Sequence, residues 1–90
     1  MTRHAVIYSA RAIRKITTAL PEKIAAAVVE FIEGPLAENP RRVGKPLLAP
    51  FDRYYGARRG EYRVIYEILD HAIRITIVDV AHRRDIYRPR

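Results

Sequence analysis

The chain of 90 residues contains no cysteine. It therefore has neither a disulfide framework nor a thiolate metal site, and we expect it to act in the cytoplasm. No apolar run is long enough to span a bilayer, and the apolar stretch near the N-terminus is too short for a secretory signal. The histidines at positions 4 and 71 are isolated from other ligand residues. We accordingly expect no metal, no cofactor and no membrane contact.

Lysine is also scarce, with three residues against fourteen arginines. Together they outnumber ten acidic side chains and give a formal net charge of +7 at pH 7. A basic excess on so small a chain favours a polyanionic partner, first nucleic acid and second an acidic protein. The charge is also sorted: residues 20–38 carry four glutamates against one lysine, whereas residues 39–63 carry seven basic side chains against two acidic ones. This segregation indicates a dedicated binding face.

Two arginine clusters flank the most strand-like stretch of the chain. They are residues 58–66, RRGEYRVIY, and residues 82–88, HRRDIYR. Guanidinium stays charged at any accessible pH and presents a planar fork of donors that matches phosphate oxygens. The clusters therefore indicate a surface that binds phosphate.

The hydrophobic periodicity predicts an α+β fold in the order β-α-α-β-β-β. Residues 4–8 are predicted to form a strand buried on both faces, and Ser9 to cap a helix over residues 10–20. A second helix is expected to begin at Pro21 and to end or kink at Gly34-Pro35. On the first helix, the residues expected to face the core are Ile13, Ile16 and Leu20. On the second helix they are Ile24, Val28, Phe31 and Ile32, with Leu36 added if the helix extends that far. We expect one domain over residues 1–90, a small, mostly antiparallel sheet with the N-terminal helical hairpin packed on one face.

Beyond a loop over residues 39–50, the period changes to two. Tyr62, Val64, Tyr66 and Ile68 would face one side of a strand. Arg63 would then face away from the helices. A last strand from Ile73 to Val80 would deliver the second arginine cluster, with His82, Arg83 and Tyr87, to the same rim.

Residues 58–68, RRGEYRVIYEI, and 80–88, VAHRRDIYR, resemble toxins of the RelE/ParE superfamily, on its RelE-like branch. Shorter stretches that fit the same pattern are LPEKI at 20–24, NP at 39–40 and GKPL at 44–47. The resemblance implies a fold like that of microbial ribonucleases and the role of toxin in a type II toxin–antitoxin pair. It further implies a metal-independent endoribonuclease that cleaves mRNA in the ribosomal A site, inhibits translation and is neutralised by a cognate antitoxin. Operator DNA would be bound only through the toxin–antitoxin complex.

Metal-free RNA cleavage requires a base for the 2′-hydroxyl, cations for the charge on phosphorus and an acid for the 5′-oxygen. The resemblance assigns the family's catalytic arginines to Arg63 and Arg83, and its C-terminal tyrosine to Tyr87. Arg63 and Arg83 suit charge stabilisation, Tyr87 suits the base, and His82 is predicted as the acid. The family's two second-strand lysines are replaced here by Tyr54 and Gly56. No lysine at these two positions can therefore transfer a proton.

The remaining basic and aromatic residues of this region are predicted to bind RNA or the ribosome. They are Lys45, Arg53, Arg58, Arg59 and Arg84, with Tyr54 or Tyr55 stacking on a base. Two other functions stay open: a ParE-like, non-enzymatic toxin that inhibits DNA gyrase, and a catalytically silent member that acts only within the antitoxin complex. Simpler interpretations also stay open, in which the arginines are solvated or paired across the sheet and Tyr87 packs its ring.

Overall fold

A computed structural model describes residues 3–86, and the side chains of residues 3–84. Tyr87 lies outside the described residues. The strands are β1 (Ala5–Tyr8), β2 (Lys45–Pro46), β3 (Tyr55–Arg59), β4 (Tyr62–Leu69) and β5 (Arg74–His82). The helices are α1 (Ala10–Arg14), α2 (Glu22–Phe31), α3 (Pro40–Val43) and α4 (Arg83–Ile86), and π-helical turns over Lys15–Ala19 and Ile32–Leu36 continue α1 and α2. Within the described part of the chain, no helix combines the length and apolarity needed to cross a membrane.

The strands form one five-stranded sheet in the order β1-β5-β4-β3-β2. Only β1 and β5 pair in parallel, and the other neighbours are antiparallel, so the predicted α+β fold with a mostly antiparallel sheet is confirmed. The prediction that the first strand is buried on both faces is wrong. Because β1 lies at the sheet edge, Ala5 and Ile7 are exposed while Val6 and Tyr8 are half-buried.

Ser9 begins α1 as the sequence predicts. Its Oγ accepts the N–H of Ala12 at 3.0 Å and donates to the Val78 carbonyl of β5 at 2.8 Å. This double contact sets the rotation of α1, and the result is that Ala12 is fully buried while Ile13 is 50% exposed. The predicted stripe on the first helix is therefore wrong at Ile13.

The second helix continues past Gly34-Pro35, where it was predicted to end or kink. The chain continues as a π-helical turn that contains Pro35 and carries Leu36 into the core. Proline has no N–H to donate, and a wider turn accommodates its ring without ending the helix. Val28 and Ile32 are buried as predicted, whereas Ile24 is exposed.

The core lies between these helices and the two central strands. Val64 and Tyr66 of β4 are fully buried, which confirms the predicted alternation. In β5, Ile75 and Ile77 are fully buried, whereas Ile73 precedes the strand with a φ of 48° and is exposed. A bulge further on pairs Ile65 with Asp79 but Tyr66 with Ile77.

Tyr66 connects this core to α3 and to β3. Its hydroxyl donates to the carbonyl of Pro40, and its ring stacks on that of Tyr55 with centroids 5.8 Å apart. Burial raises the pKa of Tyr66, so the hydroxyl remains a donor at any physiological pH.

We expect Tyr66→Phe to lower the free energy of unfolding by about 1–2 kcal/mol, because the Pro40 carbonyl loses its buried partner. Urea unfolding followed by circular dichroism measures this, and the midpoint should fall at an unchanged slope. Tyr54→Phe, at a half-buried tyrosine outside the core, is the control and should leave the midpoint in place. An unchanged midpoint in Tyr66→Phe would show that the hydrogen bond is not stabilising.

Candidate functional site

Arg63 lies on the face of the sheet opposite the helices. It is flanked in β4 by Tyr62 and Val64, which pack toward the core, and it pairs with Arg58 of β3. Because paired residues of neighbouring strands point to the same face, Arg58 and Arg63 project together. The face opposite α1 and α2 therefore carries both arginine side chains.

These two arginines line an open cleft of about 440 Å³. The lining residues are Val43, Lys45, Pro46, Leu47, Leu48, Gly56, Arg58 and Arg63. Of the described residues that line it, three are basic and none is acidic. Positive charge gathered in a concave surface attracts a polyanion.

The hairpin between β3 and β4 brings the second arginine cluster to the same end of the sheet. Gly60 makes the tight turn with a φ of 63°, a conformation that favours glycine. The N–H of Arg83 donates to the Glu61 carbonyl at 2.7 Å, and the Arg83 Nε lies 3.7 Å from Glu61 Oε1. Arg59 is exposed at the end of β3. The two arginine clusters thus meet at this hairpin.

His82 does not share the face of Arg63. The last strand runs to His82, two residues beyond its predicted end, and pairs His82 with Tyr62. The two rings meet edge to face with centroids 5.2 Å apart, and His82 Nδ1 accepts the N–H of Arg84 at 3.2 Å. The expectation that His82 points to the rim of Arg63 is therefore corrected, because the pairing directs its ring to the helix-covered side. The Arg84 side chain is exposed in α4.

Arg53 and Tyr54 lie outside the cleft, before the start of β3. The Arg53 Nε lies 3.7 Å from Glu67 Oε2, and its guanidinium carbon lies 4.9 Å from the centroid of the Tyr54 ring. Tyr55 packs against the core through Tyr66. These residues are not brought together with Arg63, and their predicted contacts with RNA stay predictions.

The structure adds residues to the cleft that the sequence did not point to. Leu47 and Leu48 form an apolar wall, and Leu48 is 87% exposed. Both follow β2, a strand of two residues that is too short to show a period of two. Among the described residues, no group of three or more histidine or carboxylate side chains is placed to hold a metal ion.

Residues 6–87 match the ParE toxins of type II toxin–antitoxin systems. The chain belongs to this toxin family, and the predicted RelE-like branch is confirmed by its relatives. It is 54% identical over 69 residues to Toxin RelE of Mycobacterium tuberculosis strain H37Rv, covering 77% of this chain and 71% of that protein. It is 51% identical over 69 residues to Toxin RelG of the same strain, covering 77% and 79%.

Solved structures agree with this assignment. A chain of a RelBE toxin–antitoxin complex from M. tuberculosis superposes with a TM-score of 0.87 at 41% identity, covering 91% of this chain and 93% of that one. A mutant of Escherichia coli RelE in the free state superposes with a TM-score of 0.71 at 14% identity, covering 93% and 87%. The second likeness concerns the fold alone.

Proposed function

We propose that this toxin is an endoribonuclease that cleaves mRNA in the ribosomal A site without a metal ion and so inhibits translation. The observation that carries the proposal is the basic cleft on the face of the sheet opposite α1 and α2, with Lys45, Arg58 and Arg63 in its lining. An RNA strand can bind such a surface through its phosphates, and an open cleft can receive a strand that the ribosome already holds.

The residues divide the reaction between them. Arg63 and Arg58 hold the non-bridging oxygens of the scissile phosphate, because paired guanidinium groups neutralise charge that grows as the 2′-oxygen attacks. Arg83 supports them from the start of α4, and its contact with Glu61 of the hairpin is exposed and exchangeable. Tyr87 is proposed as the base for the 2′-hydroxyl, and Arg59 and Arg84 as contacts to RNA or ribosomal RNA.

A cognate antitoxin is the proposed protein partner. The similar structure from M. tuberculosis is described as a toxin–antitoxin complex, and the charge of this chain favours an acidic or amphipathic segment that covers the cleft. Binding to operator DNA would then occur only through that complex. Because ribosomes are the site of action, we propose that the whole chain, residues 1–90, works as one toxin domain in the cytoplasm.

Purified toxin mixed with programmed ribosomes and mRNA tests the activity. We expect cuts in phase with codons, mapped by primer extension, in reactions that contain ribosomes and no added divalent metal beyond what the ribosomes retain. The same mRNA without ribosomes is the control and should stay intact, since the open cleft depends on the ribosome to present the strand. Intact mRNA on ribosomes would overturn the proposal.

A second function stays open because the matching family is described by its ParE members. In that case the chain would inhibit DNA gyrase without chemistry of its own. A supercoiling assay with purified gyrase separates the two functions: inhibition by both the wild-type chain and Arg63→Ala, with intact mRNA in the ribosome assay, would support the gyrase function.

A further inference from the structure

We propose that Lys45 is the general acid of this toxin and protonates the 5′-oxygen as it leaves phosphorus. The assignment rests on the proposed cleavage of mRNA. Lys45 takes the role of acid that the sequence suggested for His82. The His82 ring contacts Tyr62 on the other side of the sheet.

The pairing register places Lys45 on the same face as Arg63. Lys45 pairs with Gly56, and Arg58, two residues along β3, pairs with Arg63. Paired residues and alternate residues of a strand share a face. With strands about 4.8 Å apart and a rise of about 3.3 Å per residue, the Cα atoms of Lys45 and Arg63 are separated by roughly 12 Å. Two long side chains can therefore reach one phosphodiester from opposite sides.

The strand between them leaves this space open. A Cβ at Gly56 would lie 3.2 Å from Arg63 Cδ and 3.1 Å from Leu47 Cδ2, closer than ordinary packing allows. The Arg63 side chain thus crosses β3 over Gly56, in the direction of β2 and Lys45. Glycine at position 56 is what lets the cations of two non-adjacent strands approach the same ligand.

Of the three cations that line the cleft, only the lysine can release a proton. Guanidinium does not deprotonate in proteins, whereas an ammonium group can give up a proton. Arg58 and Arg63 therefore suit charge stabilisation and cannot serve as acids. Lys45 is exposed, so its ammonium group can turn toward the leaving oxygen and regain a proton from water.

The other described proton carriers near this end of the sheet are directed elsewhere. Tyr54 lies under the Arg53 guanidinium, and Tyr55 stacks on buried Tyr66. His82 has its Nδ1 engaged by the N–H of Arg84. Lys45 is the proton carrier that lines the cleft beside Arg63.

The 2′-oxygen, relieved of its proton by the base, forms a bond to phosphorus while the bond from phosphorus to the 5′-oxygen breaks. The electron pair of that bond goes to the 5′-oxygen, which takes a proton from the Lys45 Nζ. The products are a 2′,3′-cyclic phosphate, a 5′-hydroxyl and a neutral amine, which water reprotonates.

An mRNA with sulfur in place of the 5′-bridging oxygen at the scissile position tests the assignment. A thiolate leaves without a proton, so general acid catalysis no longer matters for that substrate. On ribosomes, Lys45→Ala is expected to cleave the oxygen substrate about 100-fold or more slowly than wild type. It should cleave the sulfur substrate within a few-fold of wild type. Lys45→Arg, which keeps the charge without the transferable proton, should show the same split.

Arg58→Ala is the matched control from the same cleft. It removes a charge-stabilising group, so its cleavage of both substrates should fall by the same factor. Equal losses on both substrates in Lys45→Ala would overturn the assignment and leave Lys45 a binding residue, as would full activity in Lys45→Arg. Failure of the wild-type chain to cut either substrate would remove the proposed nuclease itself, a distinct outcome. Thermal unfolding of each variant confirms that the exposed substitutions leave the fold intact.

Discussion

Replacement of Arg63 by alanine is expected to lower the rate of mRNA cleavage on ribosomes by about 100- to 1,000-fold. The reason is that Arg63 lines the cleft, paired with Arg58 and extended over Gly56. In the proposed reaction a guanidinium group at this point would bind the phosphate oxygens more strongly as negative charge accumulates on them, so its loss would act on the transition state. The effect should appear in the rate at saturating ribosome concentration.

Arg63→Lys separates charge from geometry. It retains a cation but loses the planar fork that contacts two oxygens at once, so we expect it to recover only part of the lost rate. Arg14→Ala is the matched control, since it removes an exposed arginine from α1 on the far side of the sheet. It should change the rate by less than about twofold, as most exposed substitutions do. Cleavage by Arg63→Ala at the wild-type rate would contradict the role given to the cleft.

The position of Arg63 was predictable because β4 follows a strict period of two. Val64 and Tyr66 are fully buried, and one apolar face of a strand under helices determines where the other face points. The bounds and register of β5 were less predictable: the strand begins after Ile73 and ends two residues beyond Val80, and a bulge opposite Ile65 and Tyr66 of β4 shifts its register. A bulge is a change in pairing between two strands, and neither strand carries a local pattern that reports it.

The cleft itself was only half predictable. Arg58 and Lys45 were both predicted to bind RNA, but the position of Lys45 beside Arg63 could not be predicted, because Lys45 lies in a strand of two residues inside a loop rich in proline. Such a strand has no periodicity, and its place in the sheet depends on its pairing with Tyr55 and Gly56, nine and eleven residues further along the chain. Gly56 was visible only as a departure from the resemblance. That Gly56 leaves space for the Arg63 side chain between two strands could be seen only from the position of the Arg63 Cδ atom.

Replacement of Gly44 by alanine is expected to lower the free energy of unfolding by about 3 kcal/mol. Gly44 is buried between α3 and β2. A Cβ there would overlap the Tyr66 hydroxyl and lie 3.0 Å from the Gly56 carbonyl oxygen. Backbone and a fully buried ring have little freedom to move, so relief would require the hydrogen bond from Tyr66 to Pro40 to break. Urea unfolding followed by circular dichroism measures the change.

Gly34→Ala is the control, because it makes the same change from glycine to alanine at a position with open space. No atom beyond the neighbours of Gly34 lies within 4 Å of a Cβ built there, and the residue lies in a helical turn. The change should therefore be neutral or stabilise the fold by less than about 1 kcal/mol.

The double variant Gly44→Ala with Tyr66→Phe tests the mechanism of the loss. Removal of the hydroxyl also removes the atom that the new methyl group overlaps, so the combined loss should be smaller than the sum of the two single losses. Additive losses would show that the methyl group acts elsewhere, for instance on the Gly56 carbonyl alone. Less than additive losses would show that the Tyr66 hydroxyl sets the approach of the chain into β2, and with it the position from which Lys45 enters the cleft.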